Sequence, residues 1–401
     1  MKQLIILLGI ITTPFYVVAQ DTIPKPGSYD EGYFFIGPDD LLKFKGYAQF
    51  DGYFPAGNTP GVSEFLIRRA RLAATGYFQK KFRYMLYASF DKGKPALNEA
   101  FLEARHLAFA KLRVGQFKVP FSQSNLRSSS QLDFIGRPFI IENFSPSYDI
   151  GAIVFGNDKQ KRFDYAIGIF NGQGANKREN NNGKLMVGRL VIAPFISSNI
   201  DGIKKLYLGG SFAHGRQKKD FAKLDYTTAS GVPVFSFTNS IMQEGRTTIY
   251  GYDLEWYIKS FSVKGEYLNY NAKNLYKSNS GFNHSSDGYY IAATFLLTGE
   301  EKKRNDFIKP QKEFELNKGR WGALELTARY EKTNLSRTNL SAIAKGTDGL
   351  ASFTGGVNWY LNDDVKVVMN YSYYKFNQKI IVDDKPFLKN NILLLRVQYQ
   401  F

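Results

Sequence analysis

The sequence predicts an all-β chain, a transmembrane antiparallel β-barrel of about 16 strands with short periplasmic turns and long outer loops. Three observations predict it. Segments of about ten residues with alternating apolar and polar side chains recur along most of the chain. After residue 19 no run of about 18 apolar residues offers a spanning helix. The chain stops on an alternating aromatic strand, Asn391–Phe401, with Leu393, Leu395, Val397, Tyr399 and Phe401 on one face and Arg396, Gln398 and Gln400 on the other. Terminal strands of soluble domains fray. The last strand of a barrel must instead pair with the first, so that no edge is left in lipid.

Taken in order, residues 1–19 read as a secretory signal. Lys2 gives a positive start, Leu4–Ile11 and Phe15–Val18 an apolar centre, and Val17-Val18-Ala19 a small-residue cleavage site. Residues 20–43, with prolines at 24, 26 and 38, read as a periplasmic leader. Residues 44–401 read as the barrel. Its strands are expected at Phe44–Phe54, Ser63–Phe78, Phe82–Asp91, Asn98–His106, Leu112–Phe117, Asp149–Asn157, Phe163–Asn171, Leu185–Phe195, Lys205–Arg216, Thr247–Ile258, Phe261–Asn271, Gly288–Thr298, Gly322–Lys332, Ser352–Leu361, Val365–Lys375 and Asn391–Phe401. The inward faces decide between porin and sandwich. Asp253 and Glu255, and again Glu325, Thr327, Arg329 and Glu331, would be ruinous in a dry core and are ordinary in a watery lumen. With both ends in the periplasm, the turns Gln79–Lys81, Lys259–Ser260 and Asn362–Asp364 fall inside. The connectors Lys118–Tyr148, Gln217–Arg246, Ala272–Asp287, Thr333–Ala351 and Phe376–Asn390 fall outside. Gly299–Trp321 is the exception, long and charged yet periplasmic.

Composition narrows the function. No Cys excludes a disulfide scaffold, thiolate metal sites and a Cys nucleophile. A formal net charge of +17, spread along the chain, implies anionic solutes and disfavours a nucleic-acid tail. His106, His214 and His284 are far apart in sequence and next to no serine-base arrangement, so neither catalysis nor a metal site is expected, and no cofactor.

The candidate site is a basic lumen. In Ile67-Arg-Arg-Ala-Arg-Leu72, strict alternation turns Arg69 and Arg71 inward with Thr75, and Leu66, Ala70, Leu72 and Ala74 outward. Arg68 then falls on the lipid side near the outer end. Inward guanidinium forks suit oxyanions; the bland alternative pairs them with Glu99, Glu103 or Asp91. Further inward cations are Arg83, Arg105, Arg113, Lys264, Arg329 and Arg396. The loop Lys118–Tyr148 carries Lys118, Arg127, Ser128–Ser130 and Arg137 among Phe134, Phe139, Phe144 and Tyr148. Those aromatics suggest a loop folded into the barrel, with Arg127 and Arg137 at a constriction. Inward Tyr87, Tyr290, Tyr360 and Tyr374 leave open a general or oligosaccharide porin without phosphate preference.

From Gly46-Tyr-Ala-Gln-Phe50 to Phe401 the chain resembles the phosphate-selective porin O/P family of bacterial outer membranes. The resemblance is carried by Ile67-Arg-Arg-Ala-Arg-Leu72, Val114-Gly-Gln-Phe-Lys-Val-Pro-Phe121, Leu297-Thr-Gly-Glu300 and Trp321-Gly-Ala-Leu-Glu-Leu-Thr-Ala-Arg-Tyr330. It implies a homotrimeric, sixteen-stranded porin in the Gram-negative outer membrane, for phosphate or polyphosphate among small anions. The pore would be narrowed by inward-folded loops, including a periplasmic connector, and lined by an arginine ladder onto which Arg69, Arg71 and Arg329 map. Tyr399 and Phe401 would serve as the tag read by barrel-assembly machinery.

Overall fold

A computed structural model describes residues 29–30, 33–37, 40–220, 225–237, 241–277, 280–336 and 343–401. The signal sequence expected at residues 1–19 and most of the leader lie outside these. Sixteen strands form the barrel: β1 Asp40–Pro55, β2 Glu64–Phe78, β3 Phe82–Ser89, β4 Ala96–Ala104, β5 Lys111–Lys118, β6 Tyr148–Asn157, β7 Phe163–Phe170, β8 Leu185–Ile192, β9 Leu206–Asp220, β10 Met242–Ile258, β11 Phe261–Lys277, β12 Ser280–Leu296, β13 Ala323–Leu335, β14 Gly349–Tyr360, β15 Val365–Val382 and β16 Lys385–Gln400. Each pairs antiparallel with the next, and β16 returns to β1 with Arg396 opposite Asp51. The barrel begins four residues earlier than expected, because the leader strand Tyr33–Gly37 turns back onto Asp40–Leu42.

Period-two alternation holds along the wall. In β16, Arg396 and Gln398 are buried inside while Val397, Tyr399 and Phe401 are exposed outside. In β13, Glu325, Thr327, Arg329 and Glu331 are buried and Leu326 and Tyr330 exposed. Closure needs a glycine. Gly46 and Phe401 exchange backbone hydrogen bonds of 3.1 and 3.0 Å. A Cβ on Gly46 would stand 2.7 Å from the Arg71 carbonyl oxygen and 2.8 Å from the Phe401 ring.

Two expectations about the outer face need correction. Ala272–Asp287 and Phe376–Asn390 are not loops. The ladders of β11–β12 and β15–β16 continue through them, past a register shift, as far as Lys277 opposite Ser280 and Val382 opposite Lys385. Asp383 and Asp384 both have positive φ, the backbone that a two-residue hairpin turn demands. The chain hides these extensions because a register shift, between Ala272 and Leu275 and between Lys375 and Ile380, interrupts the alternation. Over the mouth, residues 225–227, 233–237 and 344–346 pair into a separate three-stranded sheet.

Candidate functional site

The segment between β5 and β6 does fold into the lumen. It carries two short helices, α1 Gln123–Leu126 and α2 Phe139–Phe144. Ser122, at positive φ, caps α1 by accepting from the Asn125 amide. The aromatic content explains the fold: Phe121, Phe134, Phe139, Ile140 and Phe144 are all buried, in one cluster with inward residues of β7–β15. Polar contacts pin the loop to the same side. Gln123 donates to Tyr290, and Glu266 accepts from the Ser124 amide. Lys366 donates to the Ser130 and Leu132 carbonyls, Asn370 accepts from the Ile135 amide, and Glu331 from the Phe139 amide. The connector between β12 and β13 enters from the opposite end. Its Lys302 donates to Asp133 at 2.8 Å, to Thr294 and to Glu325. Lys264 completes the cluster, 2.5 Å from Asp133. Burial alone would raise the Asp133 carboxyl, but the Lys264 and Lys302 ammoniums more than reverse this and hold it well below its ordinary value.

The loop therefore leans on β7–β15 and leaves space along β1–β6. Three cavities share lining residues: a waist and an inner one lie in that space, and an outer one reaches from the start of β6 to β8–β11. The outer one, of about 600 Å³, has Lys177, Arg178, Lys218 and Lys219 in its walls. It shares Ser145, Ser147 and Tyr148 with a waist of about 130 Å³. The waist shares Arg71, Lys118, Ser129 and Tyr148 with an inner cavity of about 470 Å³, which Lys43, Lys45, Tyr47 and Tyr87 also line. Gly46, Asp364 and Phe401 mark the inner cavity as periplasmic.

The waist is lined by four cations, Arg69, Arg71, Lys118 and Arg137, and a single carboxylate, Glu142. What holds these cations matters. Arg69 donates to the Gln49 side-chain oxygen at 3.0 Å, and its Nε is buried without a hydrogen-bond partner. Lys118 donates to the carbonyls of Asn125 and Arg127 at 2.7 and 2.9 Å. Arg137 donates to the carbonyls of Ser124 and Arg127, both at 2.9 Å. Carbonyl and amide oxygens orient a cation but leave its charge uncancelled. Arg71 differs: it forms a forked ion pair with Asp91, at 2.6 Å, between the rings of Tyr47 and Tyr87.

The seven arginines singled out from the sequence thus separate into three groups. Arg69, Arg71 and Arg137 meet at the waist. Arg127 and Arg329 do not line these cavities, contrary to expectation. Arg127 pairs with Glu255 at 3.1 Å and donates to the Tyr257 hydroxyl. Arg329 pairs with Glu331 at 3.3 Å, donates to the Gly136 carbonyl and stacks over Phe134. Both fasten the loop. Arg105 and Arg113 gather with Arg83 around the buried Glu103, at 3.1, 2.6 and 3.7 Å, and likewise stand outside the waist. Arg396 pairs with Asp51.

Arg68 is also corrected. A bulge makes Arg69 face Gln49 while Ile67 faces Phe50, so one residue is added between them. Below it Arg69 and Arg71 face inward as alternation predicts. Above it the faces exchange: Phe65 and Ile67 are exposed, and Leu66 packs inside against Tyr53 and Ile135. Arg68 lines a side cavity of about 140 Å³ with Arg69, Arg137 and Glu142. Sequence reasoning does not anticipate Lys45 or Glu142 at all. Lys118 is named from the sequence only as the first residue of the loop Lys118–Tyr148. Of the inward tyrosines, Tyr290, Tyr360 and Tyr374 are buried, Tyr360 against Phe307 and Ile308 of the β12–β13 connector, while Tyr87 lines the inner cavity and Tyr374 the side cavity.

A sequence profile described as phosphate-selective porin O and P matches residues 45–401. Porin O of Pseudomonas aeruginosa is 27% identical over 166 residues, covering 38% of this chain and 35% of that protein's length. Among solved structures, the trimer form of OmpT, an outer membrane protein of Vibrio cholerae, matches with a TM-score of 0.59 at 12% identity, over 90% of this chain and 100% of that one. An anion-selective porin from Comamonas acidovorans matches with a TM-score of 0.56 at 11% identity, over 90% and 100%. At such identities the structural matches speak for the fold.

Proposed function

The chain belongs to the phosphate-selective porin O and P family of the Gram-negative outer membrane, and on that premise we propose that it is a passive diffusion channel for small anions, phosphate and polyphosphate among them. The single observation that carries this reading is the waist: Arg69 and Lys118 are held by neutral oxygens and Arg137 is only loosely paired with Glu142, at the smallest of three adjoining cavities. Such a ring concentrates anions and repels cations. The basic outer and inner cavities extend the same field, so an anion meets cations along its whole course. Transport of this kind needs no cofactor and no energy input. The sugar-channel alternative is disfavoured, since its tyrosines are mostly spent in packing the loop.

The working form is a homotrimer, a reading supported by the trimer form reported for the OmpT neighbour. Tyr399 and Phe401 face outward at the closing seam, which suits recognition by barrel-assembly machinery and contact with lipid.

Single-channel recording in a potassium chloride gradient tests the proposal. An anion-selective reversal potential and current block by inorganic phosphate, not by neutral sugars, are expected; cation selectivity would overturn it. Replacing Arg69 and Arg71 together by Ala should weaken selectivity while heat-resistant assembly persists.

A further inference from the structure

Glu142 enters the reading above only as the loose partner of Arg137, yet it stands at the smallest of the three cavities. It lines both the waist and the side cavity, and Arg69 and Arg137 line the same two. On α2 the neighbours Phe139, Ile140, Ile141 and Phe144 are buried, and Asn143 donates to the Phe139 carbonyl. The Phe139 amide is held by Glu331. The helix is thus anchored by every other residue, and Glu142 is the one directed at water. Its side chain is 43% exposed. Its carboxylate lies 3.8 Å from an Arg137 nitrogen, an ion-pair distance too long for a hydrogen bond.

We infer that Glu142 is a specificity-determining residue, a tethered carboxylate that competes with permeating anions for Arg137 and Arg69. This rests on the anion-channel reading and adds what limits retention. A channel must hold its ion well enough to admit it and weakly enough to release it. Arg69 and Lys118 donate only to neutral oxygens and Arg137 has only the long Glu142 pair, so without that carboxylate a multivalent oxyanion arriving among them would be trapped. A carboxylate on a fixed helix, close to the cations and free to approach them, displaces such an ion from within the waist. Its own attraction is too loose to close the site.

The test uses the full-length protein in planar bilayers, with Glu142→Gln, Glu142→Ala and Glu142→Asp, and inorganic phosphate as probe. For Glu142→Gln and Glu142→Ala the half-blocking phosphate concentration should fall about three- to tenfold, with a higher chloride-over-potassium permeability ratio and slower recovery from block. Glu142→Asp keeps the charge and should stay near the unaltered protein. If all three variants move alike, the role is structural and the inference fails. If the unaltered protein is anion-selective and Glu142→Gln changes neither quantity, this inference fails alone. If the unaltered protein is cation-selective, the channel reading fails with it.

Discussion

The two sides of the lumen hold similar numbers of charges and use them in opposite ways. Along β9–β15 cations meet carboxylates: Arg127 and Arg304 on Glu255, Lys264 and Lys302 on Asp133, Arg189 on Asp253. Along β1–β6, facing the cavities, Arg69, Lys118 and Arg137 donate to neutral amide, carbonyl or hydroxyl oxygens. The first side is a fastening. Burying a charge is tolerable there because each has an opposite at hydrogen-bond distance. The second side also pairs Arg71 with Asp91 and gathers Arg83, Arg105 and Arg113 on Glu103, but it leaves Arg69, Lys118 and Arg137 for whatever passes. The difference teaches that a count of inward arginines does not measure selectivity. The identity of the acceptor decides whether a guanidinium belongs to the wall or to the solute.

The largest effect should come from the fastened side. Asp133→Asn leaves the Lys264 and Lys302 ammoniums crowded in a buried site, and should cost about 3–5 kcal/mol. The readout is the temperature at which heat-resistant migration is lost, with a wider, noisier conductance as the loop comes free. The pH dependence follows from the same pair. Asp133 is held below its ordinary value, so its contribution is present above about pH 4, where an unfolded carboxyl is already ionised. It is lost only as pH falls through the depressed value. Conductance noise should therefore stay flat from pH 7 to about 4 and rise below. An onset above pH 5 would contradict the pairing.

A smaller effect separates two arginines of one loop. Arg137→Met removes an uncancelled charge from the waist and should lower the chloride-over-potassium permeability ratio by about tenfold. Arg127→Met should leave that ratio within about twofold while lowering stability, since Glu255 keeps only Arg304. Equal changes in selectivity would show that the two sides do not differ. The mildest effect is that of salt. Screening length falls from about 30 Å at 0.01 M to about 3 Å at 1 M. Anion preference should decline steadily over that range in the unaltered protein, and less steeply in Arg137→Met. Salt should leave the heat resistance owed to the buried Asp133 cluster nearly untouched.

The wall was legible in the chain because its strands, away from a few bulges, obey one rule, period two with charge inside. Glu325–Glu331 and Leu393–Phe401 suffice to read it. The inward loop was legible from its aromatics, since Phe134, Phe139 and Phe144 need something to pack on. The division of the cations was not. Arg127 reaches Glu255 across 128 residues and Arg396 reaches Asp51 across 345, and local pattern carries no trace of such pairs. Arg68 was misassigned because one bulged residue exchanges every face above it. Glu142 escaped notice because its importance lies in what surrounds it, four cations drawn from β2, β5 and the loop itself.

Lys302 has a consequence for how the molecule is made. It meets Asp133 across 169 residues, and Glu325 on a strand that follows it in the chain. Contacts so distant in sequence form late, after the intervening chain is already organised. Neighbouring strands can zip together in order, but Asp133 has no lysine to receive it until β11 and the connector have arrived. By the same rule the seam of β16 on β1, where Arg396 meets Asp51 across 345 residues, should form later still, so the loop can be fastened in place before the ring closes around it.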